Sequence, residues 1–291
     1  MVRLLALATL LLLETSAMAL DVSSLWDYSK PAASERRFEQ ALAGASADDA
    51  FVLRTQIART WGLRGNFERA REILAALAPE LPERSAECRV RHALELGRTY
   101  VSAVHSRESL TPESRERARA LYLQAFETAR AAGLDDLAID ALHMMPVVDD
   151  DPADQLAWNY KALAYLEKSG AQGRKWEGPL RNNVGHANRL RGNYDEALAQ
   201  FRLSLAAFDR DGRAAEARIA RWMIARTLRD MQRFDEAIAI QRRLEREFEQ
   251  AGEPDPYVFE ELEALYRATG DTAQAERYAE RLREARQRER Q

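Results

Sequence analysis

Cysteine and lysine are both scarce in this sequence of 291 residues. The single cysteine, Cys88, permits no internal disulfide and no cysteine-based zinc site, and a lone helical cysteine is more often a packed small residue than a nucleophile. Four of the 43 basic residues are lysines and the other 39 are arginines. Such a bias is typical of a GC-rich bacterial genome, so the arginine content by itself does not indicate a function.

Long apolar segments and an excess of positive charge are also absent. No run approaches the ~20 apolar residues that cross a bilayer, which excludes a polytopic membrane protein. The formal net charge of −4 argues against a dedicated nucleic-acid binder, because such proteins need a basic surface. With 46% hydrophobic residues, the chain nevertheless has enough apolar content to fold.

The N-terminus has the pattern of an export signal. Arg3 supplies a short positive region, residues 4–13 form a ten-residue hydrophobic segment, and Ala-Met-Ala at 17–19 is a small-x-small cleavage motif. We therefore predict a signal peptide over residues 1–19. The mature chain would begin at Leu20 and be soluble in the periplasm or secreted. The alternative is a buried N-terminal helix.

The rest of the chain has a helical pattern with an internal repeat. Glycine and proline together number 22 and fall mainly between helical segments, and no segment shows the alternation of a strand. One turn motif, which ends in alanine, recurs four times. Its copies are Arg-Gly-Asn-Phe-Glu-Arg-Ala at 64–70, Arg-Gly-Asn-Tyr-Asp-Glu-Ala at 191–197, Gln-Arg-Phe-Asp-Glu-Ala at 232–237 and Thr-Gly-Asp-Thr-Ala-Gln-Ala at 269–275.

This pattern resembles the tetratricopeptide repeat family, in which small residues recur at the eighth and twentieth positions of a two-helix unit. The eighth positions here are Ala58, Gly97, Ala141, Gly185 and Ala225, and the twentieth are Ala70, Ala118, Ala197, Ala237 and Ala275. Small residues let crossing helices approach closely. The resemblance implies an all-α, right-handed α-solenoid of about six stacked antiparallel helix pairs in a repeat domain over 47–291. The pairs are predicted near 47–81, 86–133, 134–170, 176–209, 213–250 and 256–289. An N-terminal segment with a capping helix near 33–44 would occupy 20–46.

Catalytic and metal-binding signatures are not found. The four histidines, His92, His105, His143 and His186, are far apart and are expected on helix surfaces rather than in a metal site. The acidic run at 149–154 lacks the glycine and the glutamate of a calcium loop, so a helix cap is the favoured interpretation. We find no phosphate loop and no nucleophile elbow. The expectation is a non-enzymatic protein without a cofactor or metal.

The resemblance also implies where a partner would bind. Family members bind peptides or helices along the concave face lined by the first helix of each pair, and ninth-position residues point into that groove. Those residues are Arg59, Arg98, Leu142, His186, Arg226 and Ala264. We expect Asn182 and Trp222 to face it too, whereas Trp61, Trp158 and Trp176 are expected in the core. The candidate site is therefore Arg59, Arg98, Asn182, His186, Trp222 and Arg226. Because guanidinium pairs bidentately with carboxylate, the predicted partner is another protein with an acidic or C-terminal segment.

The functional hypothesis is a protein-interaction scaffold of the bacterial envelope. Its narrower form is an assembly or chaperone-like accessory of an envelope complex. An enzyme with a site built across the groove and a homo-oligomer joined along an apolar outer helix face are the alternatives from other classes. A groove with scattered, solvated arginines and no ligand is the remaining interpretation.

Overall fold

The computed structural model describes residues 20–288, so the predicted signal peptide at 1–19 lies outside the described residues. The described chain contains thirteen α-helices and no strand. In chain order, α1 to α13 are Pro31–Ala41, Ala47–Leu63, Phe67–Leu77, Ala86–Arg98, Pro112–Ala131, Asp135–Met144, Pro152–Leu166, Glu177–Leu190, Tyr194–Arg210, Ala214–Asp230, Phe234–Gln250, Pro256–Thr269 and Thr272–Arg288. Short 3-10 helices lie between several of them, and one at Val22–Leu25 precedes α1.

The helices pack as consecutive pairs. α2 packs on α3, α4 on α5, α6 on α7, α8 on α9, α10 on α11 and α12 on α13, while α1 packs on α2. Each pair also contacts the next, which confirms the predicted α-solenoid of six helix pairs. The capping helix begins and ends earlier than the predicted 33–44. It starts at Pro31, whose fixed φ suits the first helical turn, and it stops before Gly44, whose φ of 84° belongs to a turn.

Close helix crossings explain the small residues of the repeat. A Cβ on Gly97 would lie 2.6 Å from Cε1 of Tyr122, and one on Gly185 would lie 2.8 Å from Cδ1 of Phe201. Both rings are completely buried. A methyl group at either glycine would therefore overlap an aromatic ring of the second helix, because close-packed interiors leave no free volume for it.

The core runs along the solenoid between its helices. Its largest continuous part is formed by α4 to α8 and includes the buried side chains of Tyr122, Ile139, Leu142 and Leu180. The predicted groove position is therefore wrong for Leu142, which is completely buried between the helices. At the N-terminal end, Val22 and the partly buried Trp26 pack with Phe38 of α1 and other side chains of the same cluster. Among the described helices, none combines the length and the apolar character that crossing a membrane requires.

Candidate partner-binding face

The first helices of the pairs form one face of the solenoid, here called the first-helix face (α2, α4, α6, α8, α10 and α12). Direct contacts join α2 to α4, α4 to α6, α8 to α10 and α10 to α12. The sequence-predicted site residues all lie on these helices: Arg59 on α2, Arg98 on α4, Asn182 and His186 on α8, and Trp222 and Arg226 on α10. Their surroundings differ between the N-terminal half (α2, α4 and α6) and the C-terminal half (α8, α10 and α12).

The N-terminal half is crossed by a buried ion-pair network. Arg98 donates from Nη1 to Oε1 of Glu95 and from Nη2 to Oδ1 of Asp140, each over 2.6 Å. Arg59 reaches the same Glu95 oxygen at 3.4 Å. The side chains of Glu95, Arg98 and Asp140 are 3%, 11% and 13% exposed. Two arginines and two carboxylates neutralise each other here, so Arg98 is engaged inside the molecule.

Titration within this network follows from burial and charge. Burial alone would raise the pKa of Asp140, but the adjacent Arg98 and Arg59 outweigh it and hold the pKa below its ordinary value. Burial conversely opposes charge on Arg98, yet Asp140 and Glu95 leave its pKa above the usual range. Both groups are therefore charged at neutral pH, and the network links α4 to α6.

Arg59 is also covered by the N-terminal segment. Trp26 and Tyr28 stack in parallel with ring centroids 4.6 Å apart, and the Arg59 guanidinium lies 5.6 Å from the first ring and 5.4 Å from the second. Trp26 is held by a 3.1 Å hydrogen bond from Nε1 to Oε1 of Gln56 on α2. Arg59 is therefore shared between Glu95 and this aromatic pair.

A histidine joins the two halves of the face. Asn183 of α8 donates from Nδ2 to Nδ1 of His143 on α6 over 3.2 Å, which is the role of a neutral imidazole. Burial lowers the pKa of His143 and outweighs the opposing effect of Asp140. The ring also packs against Trp176, with centroids 5.2 Å apart.

In the C-terminal half, Arg189 pairs with Asp230 at 2.7 Å and Arg229 pairs with Glu261 at 2.5 Å. Arg226 differs from them: it lies over the Trp222 ring at 5.0 Å, and none of the ion pairs of the described residues includes it. His186 is exposed on α8, one turn beyond the half-buried Asn182. Partial desolvation of its ring, together with the charges of Arg189 and Arg226, lowers the pKa of His186. Within the part of the chain that the structure describes, the Oδ1 atom of Asn182 and the Nε atom of Arg226 are buried without hydrogen-bond partners.

A pocket of about 250 Å³ opens beside Trp222, between α10, the end of α11 and the start of α12. We call it the Trp222 pocket. Trp222 is fixed there by a 3.3 Å hydrogen bond from Nε1 to the carbonyl oxygen of Tyr257. The remaining lining residues are Arg218, Ile219, Phe248, Asp255 and Val258.

The tryptophans and the cysteine lie where the sequence predicts, but not all of the histidines do. Trp61, Trp158 and Trp176 each pack against a hydrophobic cluster and are partly buried. Cys88 is buried, as expected of a packed residue. The expected helix-surface position is wrong for His92, which is 7% exposed and bonded through Nε2 to the Leu74 carbonyl oxygen at 2.9 Å. It is also wrong for His105, which lies in the loop after α4.

The acidic run at 149–154 is occupied by protein contacts. Asp151 caps α7 by accepting from the Ala153 amide at 2.7 Å, as the cap interpretation predicts. Asp149 accepts from Trp158, and Asp150 pairs with Arg115. Across residues 20–288, no group of three or more histidine, cysteine or acidic side chains is arranged to hold a metal ion.

The acidic partners of Arg98 and the wall of the Trp222 pocket were not predicted from the sequence. Ile219 lies three residues before Trp222, so helical periodicity could have placed both on one face. Phe248 and Tyr257 join them only through tertiary packing, for which the local sequence has no signal. Glu95 and Asp140 escaped notice because their α4 and α6 positions are not those that the repeat pattern singles out.

These features define the class of protein: an α-solenoid of stacked helix pairs with a polar first-helix face. No protein-family model matches the sequence, and no curated protein matches it. Among solved structures, the chain is similar to a Signal Transduction ATPase with Numerous Domains (STAND) protein with a tetratricopeptide repeat sensor from Pyrococcus horikoshii. The TM-score is 0.65 and the identity 11%, over 87% of this chain and 38% of the STAND protein. The alignment with BtubC (BKLC) from P. vanneervenii covers 93% of each chain, with 15% identity and a TM-score of 0.44. The first likeness supports the solenoid fold, and the matched part is less than two fifths of the STAND protein.

Proposed function

We propose that this protein is a non-enzymatic protein-interaction scaffold of tetratricopeptide type. Its ligand is an acidic segment of a partner protein, bound on the C-terminal half of the first-helix face. The observation that carries the proposal is the contrast between Arg98 and Arg226. Arg98 is neutralised by Glu95 and Asp140, whereas no carboxylate of the described chain pairs with Arg226.

The arrangement suits a peptide ligand. Arg226 offers a guanidinium, which forms strong charge-assisted hydrogen bonds with carboxylates. Asn182 and His186 stand on the neighbouring first helix, one helical turn apart, and the half-buried Trp222 adds apolar surface. An extended acidic segment could contact α8 and α10 together without rearranging the buried network of the N-terminal half.

Export to the periplasm is part of the proposal and rests on the sequence of residues 1–19. Full-length protein produced in a Gram-negative host is expected in the periplasmic fraction. Its N-terminal sequence is expected to begin at Leu20. An unprocessed chain that begins at Met1 and stays in the cytoplasm would refute the export step while leaving the binding proposal open to its own test.

The binding test uses immobilised mature chain, residues 20–291, and periplasmic extract of the producing bacterium, with captured proteins identified by mass spectrometry. An Arg226→Gln variant is expected to capture its specific partner about tenfold more weakly. Removal of one charge-assisted contact of about 1.5 kcal/mol has that effect. Raised salt should weaken capture by the unaltered chain as well.

The matched control is Arg246→Gln, which removes an exposed arginine from the second helix α11. This variant should retain the partner fully, and circular dichroism should show that both variants are folded. Equal capture by the Arg226 and Arg246 variants would contradict the assigned face. Absence of any specific capture would contradict a stable protein partner and favour a small ligand or an enzyme.

A further inference from the structure

We propose that the Trp222 pocket anchors one bulky apolar side chain of the bound segment, adjacent to an acidic residue. The inference rests on the proposed function and specifies the ligand further. Acidic character alone would suffice for binding beside Arg226. A pocket of about 250 Å³ with aromatic walls instead calls for a phenylalanine or a large aliphatic side chain in the partner.

The pocket is apolar and open to a ligand. Trp222 and Phe248 are half-buried in its wall, and Val258 is 1% exposed. Two large apolar residues at its rim remain in solvent: Ile219 is 55% exposed and Tyr257 is 64% exposed. Exposed apolar side chains around an aromatic concavity are typical of interaction sites, because a partner side chain removes them all from water together.

Charges around the pocket favour a carboxylate beside the anchor. Arg218 lies over the Phe248 ring at 4.6 Å, and Arg226 lies over the Trp222 ring at 5.0 Å. No acidic side chain of the described residues forms an ion pair with either arginine. The acid in the wall, Asp255, accepts a 2.7 Å hydrogen bond from the Tyr257 amide at the start of α12. Within the lining, Arg218 and Asp255 offset each other, so the excess positive charge beside the pocket comes from Arg226 on the Trp222 ring, and it complements an acidic segment.

The position of the pocket links it to the proposed binding face. Trp222 lines the pocket, and the Arg226 guanidinium lies over its ring. The pocket and Arg226 are therefore on the same surface of α10. A side chain seated against Trp222 would bring the adjoining residue of the segment close to Arg218 or Arg226. The partner chemistry is thus a bulky apolar residue flanked by aspartate or glutamate.

The test uses two fluorescein-labelled peptides that differ in one side chain, Gly-Glu-Asp-Phe-Glu-Gly and Gly-Glu-Asp-Ala-Glu-Gly, titrated with the mature chain in fluorescence-anisotropy experiments. The phenylalanine peptide is expected to bind at least about tenfold more tightly than the alanine peptide, because its aromatic ring is removed from water on binding. Both affinities should fall with added salt, whereas their ratio should persist, because only the acidic contacts are screened.

Two variants locate the anchor. Ile219→Asp places a carboxylate at the exposed rim and should abolish the preference for phenylalanine. Leu203→Asp is the matched control: it alters an apolar residue that is 44% exposed on the second helix α9, outside the pocket, and should keep the preference. Circular dichroism would show that both variants are folded, and the ratio of the two peptide affinities isolates the anchor from the charge repulsion that Ile219→Asp adds to both peptides.

The outcomes separate this inference from the proposed function. Equal affinities for the two peptides would overturn the anchor while the acidic-segment function stands. A preference that survives Ile219→Asp would equally overturn the assignment to this pocket. Failure of the unaltered chain to bind either peptide would count against the acidic-segment function and the anchor together.

Discussion

At the scale of single residues, two arginines at equivalent repeat positions have different electrostatic surroundings. Arg98 and Arg226 are both ninth-position residues, and the sequence predicts the same groove role for each. The structure gives Arg98 two carboxylate partners, while Arg226 rests on Trp222. The difference comes from Glu95 and Asp140, which no repeat column marks. A repeat pattern therefore predicts where a side chain lies more readily than what charge surrounds it.

Gly97 provides the sharpest residue-scale prediction about packing. In a Gly97→Ala variant, the new methyl group would overlap the buried Tyr122 ring, whose hydroxyl donates to the Val101 carbonyl oxygen at 2.6 Å. Gly62→Ala is the control, because a Cβ at Gly62 meets nothing within 4 Å. Both substitutions gain similar helix propensity. The free energy of unfolding of the Gly97 variant should therefore be about 1–3 kcal/mol lower than that of the Gly62 variant.

Urea unfolding followed by circular dichroism gives this comparison directly. The slope of each transition must match that of the unaltered chain for the midpoints to be compared. Equal midpoints for the two glycine variants would show that the Tyr122 ring can move without cost. In that case the close crossing of α4 and α5 would not be the reason for glycine at this position.

At the scale of helices and loops, the sequence predicts pairing better than it predicts contacts of irregular segments. The turn motif at 191–197 marks a helix boundary because Gly192 adopts a φ of 78° there. Gln232 adopts a φ of 59° in the corresponding turn of the next pair, so the motif persists without glycine. By contrast, the return of Trp26 and Tyr28 onto Arg59 depends on tertiary packing between segments distant in sequence.

The loop before α7 is held in place by the side chain of Asp149. Asp149 accepts from the Trp158 indole at 2.8 Å and also bonds Arg119 of α5, and its side chain is 11% exposed. Asp149→Ala leaves the indole N–H without its acceptor and should cost about 1.5–3 kcal/mol. Asp150→Ala removes a neighbouring carboxylate that is 69% exposed and pairs with Arg115, and should cost less than about 1 kcal/mol.

Thermal unfolding of the two aspartate variants in the presence and absence of calcium completes this test. The cap interpretation predicts a lower Tm for Asp149→Ala than for Asp150→Ala. It also predicts no change on adding calcium, because Asp149, Asp150 and Asp151 already have protein partners. A marked calcium-dependent rise in Tm of the unaltered chain would restore the calcium-loop interpretation.

At the scale of the whole molecule, the regular placement of small and apolar residues encodes the solenoid, and this part was predictable from sequence. The polar surface was less predictable, since it depends on which helices meet. The burial of His92 could not be predicted, because its neighbours in the sequence are compatible with a surface position. In the structure it donates a hydrogen bond to the Leu74 carbonyl oxygen of α3. Buried histidines give the molecule a dependence on pH that composition alone does not reveal.

The stability of the fold is expected to depend on pH through its four histidines. Desolvation lowers the pKa of all four histidines below the ordinary value, and His92 is the most completely buried of them. A lowered pKa in the folded state means that the unfolded chain binds more protons once the pH falls below about 7.5. Stability should therefore be greatest above that pH and decrease as the pH falls through about 6.5. The His92 contribution should reach at most about 1.4 kcal/mol per pH unit.

Urea midpoints measured between pH 7.5 and 5.5 test this expectation, with His92→Gln as the informative variant and His186→Gln as the comparison at an exposed site. The His92 variant should lose clearly less stability over this range than the unaltered chain, because glutamine does not titrate. The His186 variant should also lose less stability than the unaltered chain, but by a smaller margin than the His92 variant, because solvent screens the more exposed His186 ring. Parallel pH profiles for all three proteins would show that burial of His92 does not govern the acid sensitivity of the fold.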